Sequence, residues 1–237
     1  MSQVAKYYYF GSIRGRGELP KLVLAYAGAK YDFVGIPREE WYKTKGKPGS
    51  HSVKAPFGQL PYYEDDVVGT MGESISIGFY LAEKYGLLGD TPRIKAQANA
   101  LVERCRDIQN ICVKVCFDPD FPKVKDTVNS PESKNNIIVN LQNLEKLVTD
   151  KASVLVGEKI TIADLQAFDT LNNWVFPLWP EHMKSFPGLT RVCNNVATTP
   201  KIKAYLESSI CPKQTTPNAA KALCTEKEMV TLPSNAE

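Results

Sequence analysis

No cysteine occurs before Cys105; the six in the chain are Cys105, Cys112, Cys116, Cys193, Cys211 and Cys224. None are spaced as Cys-x-x-Cys, which argues against a structural zinc site and against a dithiol pair. A chain of 237 residues with no secretory signal needs no disulfide framework either. Long apolar runs are also missing, and none approaches the ~18 residues of a membrane-spanning helix. Charge of one sign is not concentrated anywhere. The 29 Lys and Arg against 26 Asp and Glu leave a net +3, with the basic residues scattered, so neither nucleic acid nor a membrane is an expected partner. No internal repeat and no signal peptide is seen, because Met1-Ser2-Gln3-Val4-Ala5-Lys6 runs straight into strand-like sequence. The expected compartment is the cytoplasm.

What is present is enough apolar sequence for a core, 43% of residues, at a length that allows one or two domains. Lys6 to Phe10 reads as a strand. Leu19, Leu22, Val23, Tyr26 and Ala27 then follow a helical stripe, with Pro20 in its first turn and Gly28 at its end. Tyr31 to Ile36 reads as a second strand and is followed by a loop-rich stretch. Leu60–Glu64 and Val67–Thr70 flank Asp65-Asp66 as a hairpin, and Ile77, Leu81 and Tyr85 mark a helix ended by Gly86. The order βαβ-ββα describes a small mixed sheet with helices packed on it. Residues 87–92 read as a linker, and from 93 to 210 the pattern is helical only. Its signals are a long stripe from Ile94 to Cys116, a helix start at Ser130-Pro131-Glu132, a capping box at Thr161-Ile162-Ala163-Asp164, and two short helices around Leu189–Val196 and Ile202–Leu206. Residues 211–237 turn polar and read as a tail. The cysteine stripe 105–112–116 reads as core rather than as reactive thiols.

Two short segments carry the functional signal. In Phe57-Gly58-Gln59-Leu60-Pro61 a proline sits at a strand start, where it gives up a ladder donor. A cis Leu60–Pro61 bond would point the Leu60 backbone groups outward. In Gly72-Glu73-Ser74 two polar residues open a helix, where free N–H groups favour an anion. Together they suit a ligand with both a peptide backbone and a carboxylate.

These segments, with Tyr9-Phe10, Gly15-Arg16-Gly17-Glu18, Trp41 with Lys45, Glu73-Ser74-Ile75-Ser76-Ile77 and Ile160-Thr161-Ile162-Ala163-Asp164, resemble the cytosolic glutathione S-transferases over residues 5 to 210. The resemblance is strongest to the tyrosine-type, sigma-like classes. It implies a thioredoxin-like N-terminal domain over 1–86, an all-helical C-terminal domain over 93–210, and a homodimer. It also implies conjugation of glutathione, as co-substrate, to small hydrophobic electrophiles. Two other functions share the frame: a glutathione-dependent isomerase of the prostaglandin type, and a non-catalytic ligand-binding or structural relative. The missing cysteine at the start of the first helix argues against dithiol exchange and leaves hydroxyl chemistry.

By the same resemblance Tyr9 is the hydroxyl that stabilises the thiolate. The chain has one residue more than the usual spacing between this tyrosine and Arg16, so Tyr8 and Ser12 stay open as alternatives. Arg16 supports the site, or else forms a surface ion pair with Glu18 or another acid. Trp41 and Lys45, with Lys43 as a rival, match positions that hold the glycyl carboxylate. Gln59, Leu60 and Pro61 serve the cysteinyl backbone, Glu73 and Ser74 the γ-glutamyl end, and Glu103 the partner subunit's γ-glutamyl amine. Phe10, Ile13, Ile108, Cys112 and the C-terminal segment are the expected walls of the second-substrate pocket. The chain departs from the pattern in an inserted loop, Gly46-Lys47-Pro48-Gly49-Ser50-His51, and in its long tail.

Overall fold

The computed structural model describes residues 4–130, 132–133, 136–148 and 152–212. These fall into two compact units: the residues through Gly86 together with those from Pro200 onward, and Leu87–Thr199.

The first unit is built on a four-stranded sheet in the order β2-β1-β3-β4. β1 (Lys6–Phe10) is parallel to β2 (Asp32–Ile36) and antiparallel to β3 (Tyr62–Asp65), which pairs antiparallel with β4 (Gly69–Gly72). α1 (Glu18–Ala27) joins the parallel pair and packs beside α4 (Ser74–Lys84). Strand periodicity sends alternate tyrosines of β1 to opposite faces. Tyr7 turns toward the start of α1, where its hydroxyl donates to Gly17 O at 2.9 Å. Tyr8 turns the other way, stacks on Tyr62 at 4.1 Å between ring centroids, and shares a cluster with Ile36, Trp41 and Ala55. The strand directions bring the end of β1, the end of β2, the start of β3 and the end of β4 to one edge of the sheet. That edge carries the turn after Phe10, the cis Leu60–Pro61 bond and the first turn of α4.

Two local expectations shift. The hairpin strands begin at Tyr62 and Gly69 rather than at Leu60 and Val67. The shift from Val67 to Gly69 comes from Asp65, whose carboxylate accepts the N–H groups of Val67 and Val68 at 2.9 Å each and so makes a turn of residues that look strand-like. The loop-rich stretch holds two short helices, α2 (Arg38–Thr44) and α3 (His51–Lys54). Trp41 is the one buried residue of α2 and Ser52 that of α3, too few to show a period.

The second unit is helical. α5 (Pro92–Phe117) starts where the Thr91 side chain accepts the Ile94 N–H at 3.2 Å. α6 (Phe121–Val128) and α7 (Ile137–Glu145) follow. The helix expected at Ser130 begins only at Ile137, because Asn136 is its cap and accepts from Val139 N–H; Pro131 lies outside the described residues. α8 (Ile162–Phe168) has the expected capping box: Thr161 Oγ1 accepts from Ala163 N–H, and Asp164 accepts the Thr161 N–H at 2.8 Å. A π-helical stretch, Asp169–Val175, continues it into α9 (Phe176–Leu178), then α10 (His182–Ser185) and α11 (Pro187–Thr198). Within the expected linker, Leu87 O accepts the Ile162 N–H at 2.8 Å, which ties residue 87 to this unit. Cys105, Cys112, Cys116 and Cys193 are buried, as a core stripe requires. Burial pushes the Cys105 thiol up to about 12, so it is not a nucleophile at neutral pH. Cys224 lies outside the described residues.

α12 (Pro200–Glu207) returns to the first unit. It packs on α1, with Lys201 Nζ on Ala27 O at 3.0 Å. Its periodicity alone reads as part of the helical domain, since an amphipathic stripe says that a face is buried but not against what.

Candidate active site

The site builds from the end of β1. After Phe10 the chain bends at exposed Gly11 and Ser12, then enters a single 3-10 turn, Gly15–Gly17, before α1. This turn lies directly on the Tyr9 ring. A Cβ at Gly15 would meet the Tyr9 hydroxyl and one at Gly17 would meet its ring, and Gly15 has φ +43. Two glycines are therefore what lets the backbone approach this closely. The Arg16 N–H donates to Tyr9 Oη at 3.0 Å. Tyr9 is 5% exposed.

The alternatives to Tyr9 occupy different settings. Tyr8 lies on the opposite face of the sheet, and its hydroxyl donates to Glu64 Oε2 at 2.8 Å. Burial, and then the Glu64 carboxylate, push this phenol up to about 12. Ser12 is exposed on the bend. Arg16 reaches Tyr9 through its backbone, and its side chain is half-buried. Glu18, the acid named as a surface partner for Arg16, is not at the surface: it pairs with Arg14, Nε to Oε1 at 2.8 Å, and both side chains are buried. In the tight turn the i,i+4 position faces Glu18 inside the fold.

Trp41 is 4% exposed and meets Phe10 edge-on at 6.1 Å. Lys45, the residue after α2, sets its ammonium over the Trp41 ring at 5.7 Å. Lys43 and Lys45 are both exposed. Leu60 packs against the cluster that holds Trp41, Gln59 is exposed, and Pro61 is buried. Glu73 caps α4 with φ +68, the one positive φ outside glycine among the described residues. A side chain rarely takes that conformation, and such strain collects where ligands are held. The first N–H groups of α4, from Ser74 on, have no acceptor within the helix. Phe10, Trp41, Lys45, Leu60, Pro61, Glu73 and Ser74 thus meet at one end of one sheet with Tyr9. Glu103 lies in the second unit, on the exposed side of α5. Ile108 and Cys112 are fully buried in that unit's core.

The sequence did not disclose a buried charged cluster beside the 3-10 turn. Glu18 and Lys21 are both 0% exposed, with Lys21 Nζ 3.4 Å from Glu18 Oε2. Burial raises the Glu18 carboxyl, but Arg14, Lys21 and a hydrogen bond from Tyr205 outweigh it and hold the group below its ordinary range. The i,i+3 and i,i+4 spacing of Arg14, Glu18 and Lys21 was the available signal.

Known proteins supply an independent comparison. Residues 106–209 match the family model described as glutathione S-transferase, C-terminal domain. Glutathione S-transferase 1 of Ascaris suum is 31% identical over 209 residues, covering 85% of this chain and 94% of that protein. Glutathione S-transferase Mu 1 of Macaca fascicularis is 30% identical over 211 residues, covering 84% and 89%. The crystal structure of the glutathione S-transferase from Ascaris lumbricoides superposes with a TM-score of 0.71 at 30% identity, covering 86% and 96%. With the thioredoxin-like sheet, the cis-proline edge and the helical second unit already in place, these matches show that the chain belongs to the glutathione S-transferase family.

Proposed function

We propose that this protein is a glutathione transferase that ionises the thiol of glutathione and delivers the thiolate to small hydrophobic electrophiles, with Tyr9 as the stabilising hydroxyl. The observation that carries the reading is the Arg16 N–H bonded to Tyr9 Oη at 3.0 Å, at the sheet edge where Leu60, Pro61 and Ser74 also stand. A phenol that accepts an N–H becomes a stronger O–H donor. A free thiol has a pKa near ~8.5. A hydrogen bond to the charged sulfur contributes about 1.5–3 kcal/mol. At 1.36 kcal/mol per unit this lowers the pKa by roughly one to two units. A single hydroxyl is sufficient, and no general base is required.

The donor set fits a tripeptide with two carboxylates. The indole of Trp41 and the ammonium of Lys45 suit the glycyl carboxylate. The backbone of Leu60 beside Pro61, with Gln59, suits the cysteinyl unit. The start of α4 at Glu73 and Ser74 suits the γ-glutamyl end. In this reading the protein is a cytoplasmic homodimer, with Glu103 completing the partner's site. Its class is tyrosine-type and sigma-like, on the Tyr9-Phe10 and Phe57–Pro61 motifs.

The test is retention on immobilised glutathione followed by turnover of a generic aryl halide. Retention with glutathione-dependent turnover is expected. Retention without turnover would make the chain a binding relative, and loss of both would remove the reading.

A further inference from the structure

The turn that covers Tyr9 is closed at both ends by one carboxylate. Gly17 N–H donates to Arg14 O at 3.1 Å, and Arg14 Nε donates to Glu18 Oε1 at 2.8 Å, so residues 14 to 18 form a closed clasp. Inside it lie the Arg16 N–H to Tyr9 bond and the Tyr7 bond to Gly17 O. Glu18 has a second oxygen, and its partner comes from the far end of the chain: Tyr205 Oη on α12 donates to Glu18 Oε2 at 3.0 Å. Lys21 on α1 faces the same oxygen, and Tyr31 and Cys211 lie near enough to feel the charge of Glu18. The carboxylate is thus surrounded by Arg14, Lys21, Tyr205, Tyr31 and Cys211, all within the first unit. Stability alone gives no reason for such an arrangement, because buried ion pairs rarely outdo apolar residues of the same volume. What the pair does fix is geometry.

We propose that Tyr205 and Glu18 are positioning residues for the candidate site: Tyr205 orients Glu18, Glu18 holds Arg14, and the clasp between them keeps the Arg16 N–H against the Tyr9 oxygen. The inference rests on the reading of Tyr9 as the thiolate's donor. It gives α12 a part in the chemistry of the site through Glu18 and Arg14. When the clasp loosens, the N–H polarises the phenol less, the phenol donates more weakly, and the bound thiol holds its proton to higher pH.

Glu18→Gln leaves Arg14 and Lys21 facing no charge and risks the fold, so Tyr205→Phe is the informative variant. It removes one oxygen and keeps the ring. Thiolate absorbance of bound glutathione is titrated against pH in the unchanged protein, Tyr205→Phe, Tyr9→Phe and Ile202→Val, the last a core change on the same helix outside the clasp. In Tyr205→Phe the midpoint is expected to rise by about 0.3–0.5 pH units, a two- to threefold fall in the acidity constant of the bound thiol. KM for glutathione is expected to hold, and Ile202→Val to titrate as the unchanged protein does. If Tyr9→Phe moves the midpoint and Tyr205→Phe does not, the clasp is wrong and the Tyr9 reading stands. An equal shift in Ile202→Val would make the effect general loosening and overturn the proposal. If Tyr9→Phe itself leaves the midpoint in place, the Tyr9 reading falls and the clasp with it.

Discussion

Tyr7, Tyr8 and Tyr9 are chemically identical and adjacent, yet they end in three different settings. Strand alternation separates Tyr8 from the other two, and a reader of the sequence can see that much. The hydrogen bonds that then distinguish them cannot be seen, since Glu64 and the Arg16 N–H arrive from other segments. Glu18 shows the same limit. A charged residue in a first helical turn reads as a solvated cap, and only the fold reveals that it is buried. Asp65 is the corresponding case in the hairpin. Its carboxylate accepts from Tyr63, Tyr80, Val67, Val68 and Lys84. Burial raises its pKa, but these donors outweigh it and hold the group well below the usual carboxylate range. Asp65→Ala should cost about 2–3 kcal/mol, read from urea midpoints at pH 7, because several donors lose one acceptor. The sign of the pH dependence follows from the depressed pKa. The contribution is complete above the unfolded value of about 3.9 and is lost as pH falls toward the folded value. The gap between variant and unchanged protein should therefore narrow below about pH 4.

Among the elements, α1, α4 and α5 were legible because each carries several buried residues on one stripe, and Gly28 and Gly86 mark the ends of the first two; the cap of α5 at Thr91 was read as linker. α2 and α3 were not, having one buried residue each. α7 was displaced because Ser130 and Asn136 are both good caps and only the second is used. The capping box of α8 was legible in full. Its two members should differ in weight. Thr161→Ala should cost about 1 kcal/mol, as caps generally do. Asp164→Ala should cost more, about 2–3 kcal/mol, because it leaves the buried N–H groups of Thr161 and Leu155 without their acceptor. Equal thermal shifts in the two variants would show that Asp164 is only a cap.

At the scale of the whole molecule, the order of a small mixed sheet followed by helices was legible from the change of periodicity after residue 86. The return of α12 to the sheet unit was not, because the residues it meets, Ala27 and Glu18, lie 174 and 187 positions away in sequence. The proposed homodimer belongs to this scale as well. Sedimentation should give about twice 26.4 kDa, and Glu103→Ala should weaken glutathione binding without unfolding the subunit. A fully active monomer at nanomolar concentration would refute both the dimer and the role of Glu103.

The central claim is that one phenol, Tyr9, sets the acidity of bound glutathione. The direct measurement is the thiolate absorbance of the glutathione complex titrated with pH in Tyr9→Phe, Tyr8→Phe and Ser12→Ala beside the unchanged protein. Tyr9→Phe should bind glutathione nearly as well and raise the midpoint by roughly one to two units, with turnover at neutral pH down about ten- to twentyfold. Tyr8→Phe and Ser12→Ala should leave the midpoint where it is. A Tyr9→Phe curve that coincides with the unchanged protein, while either of the other two moves, would contradict the account.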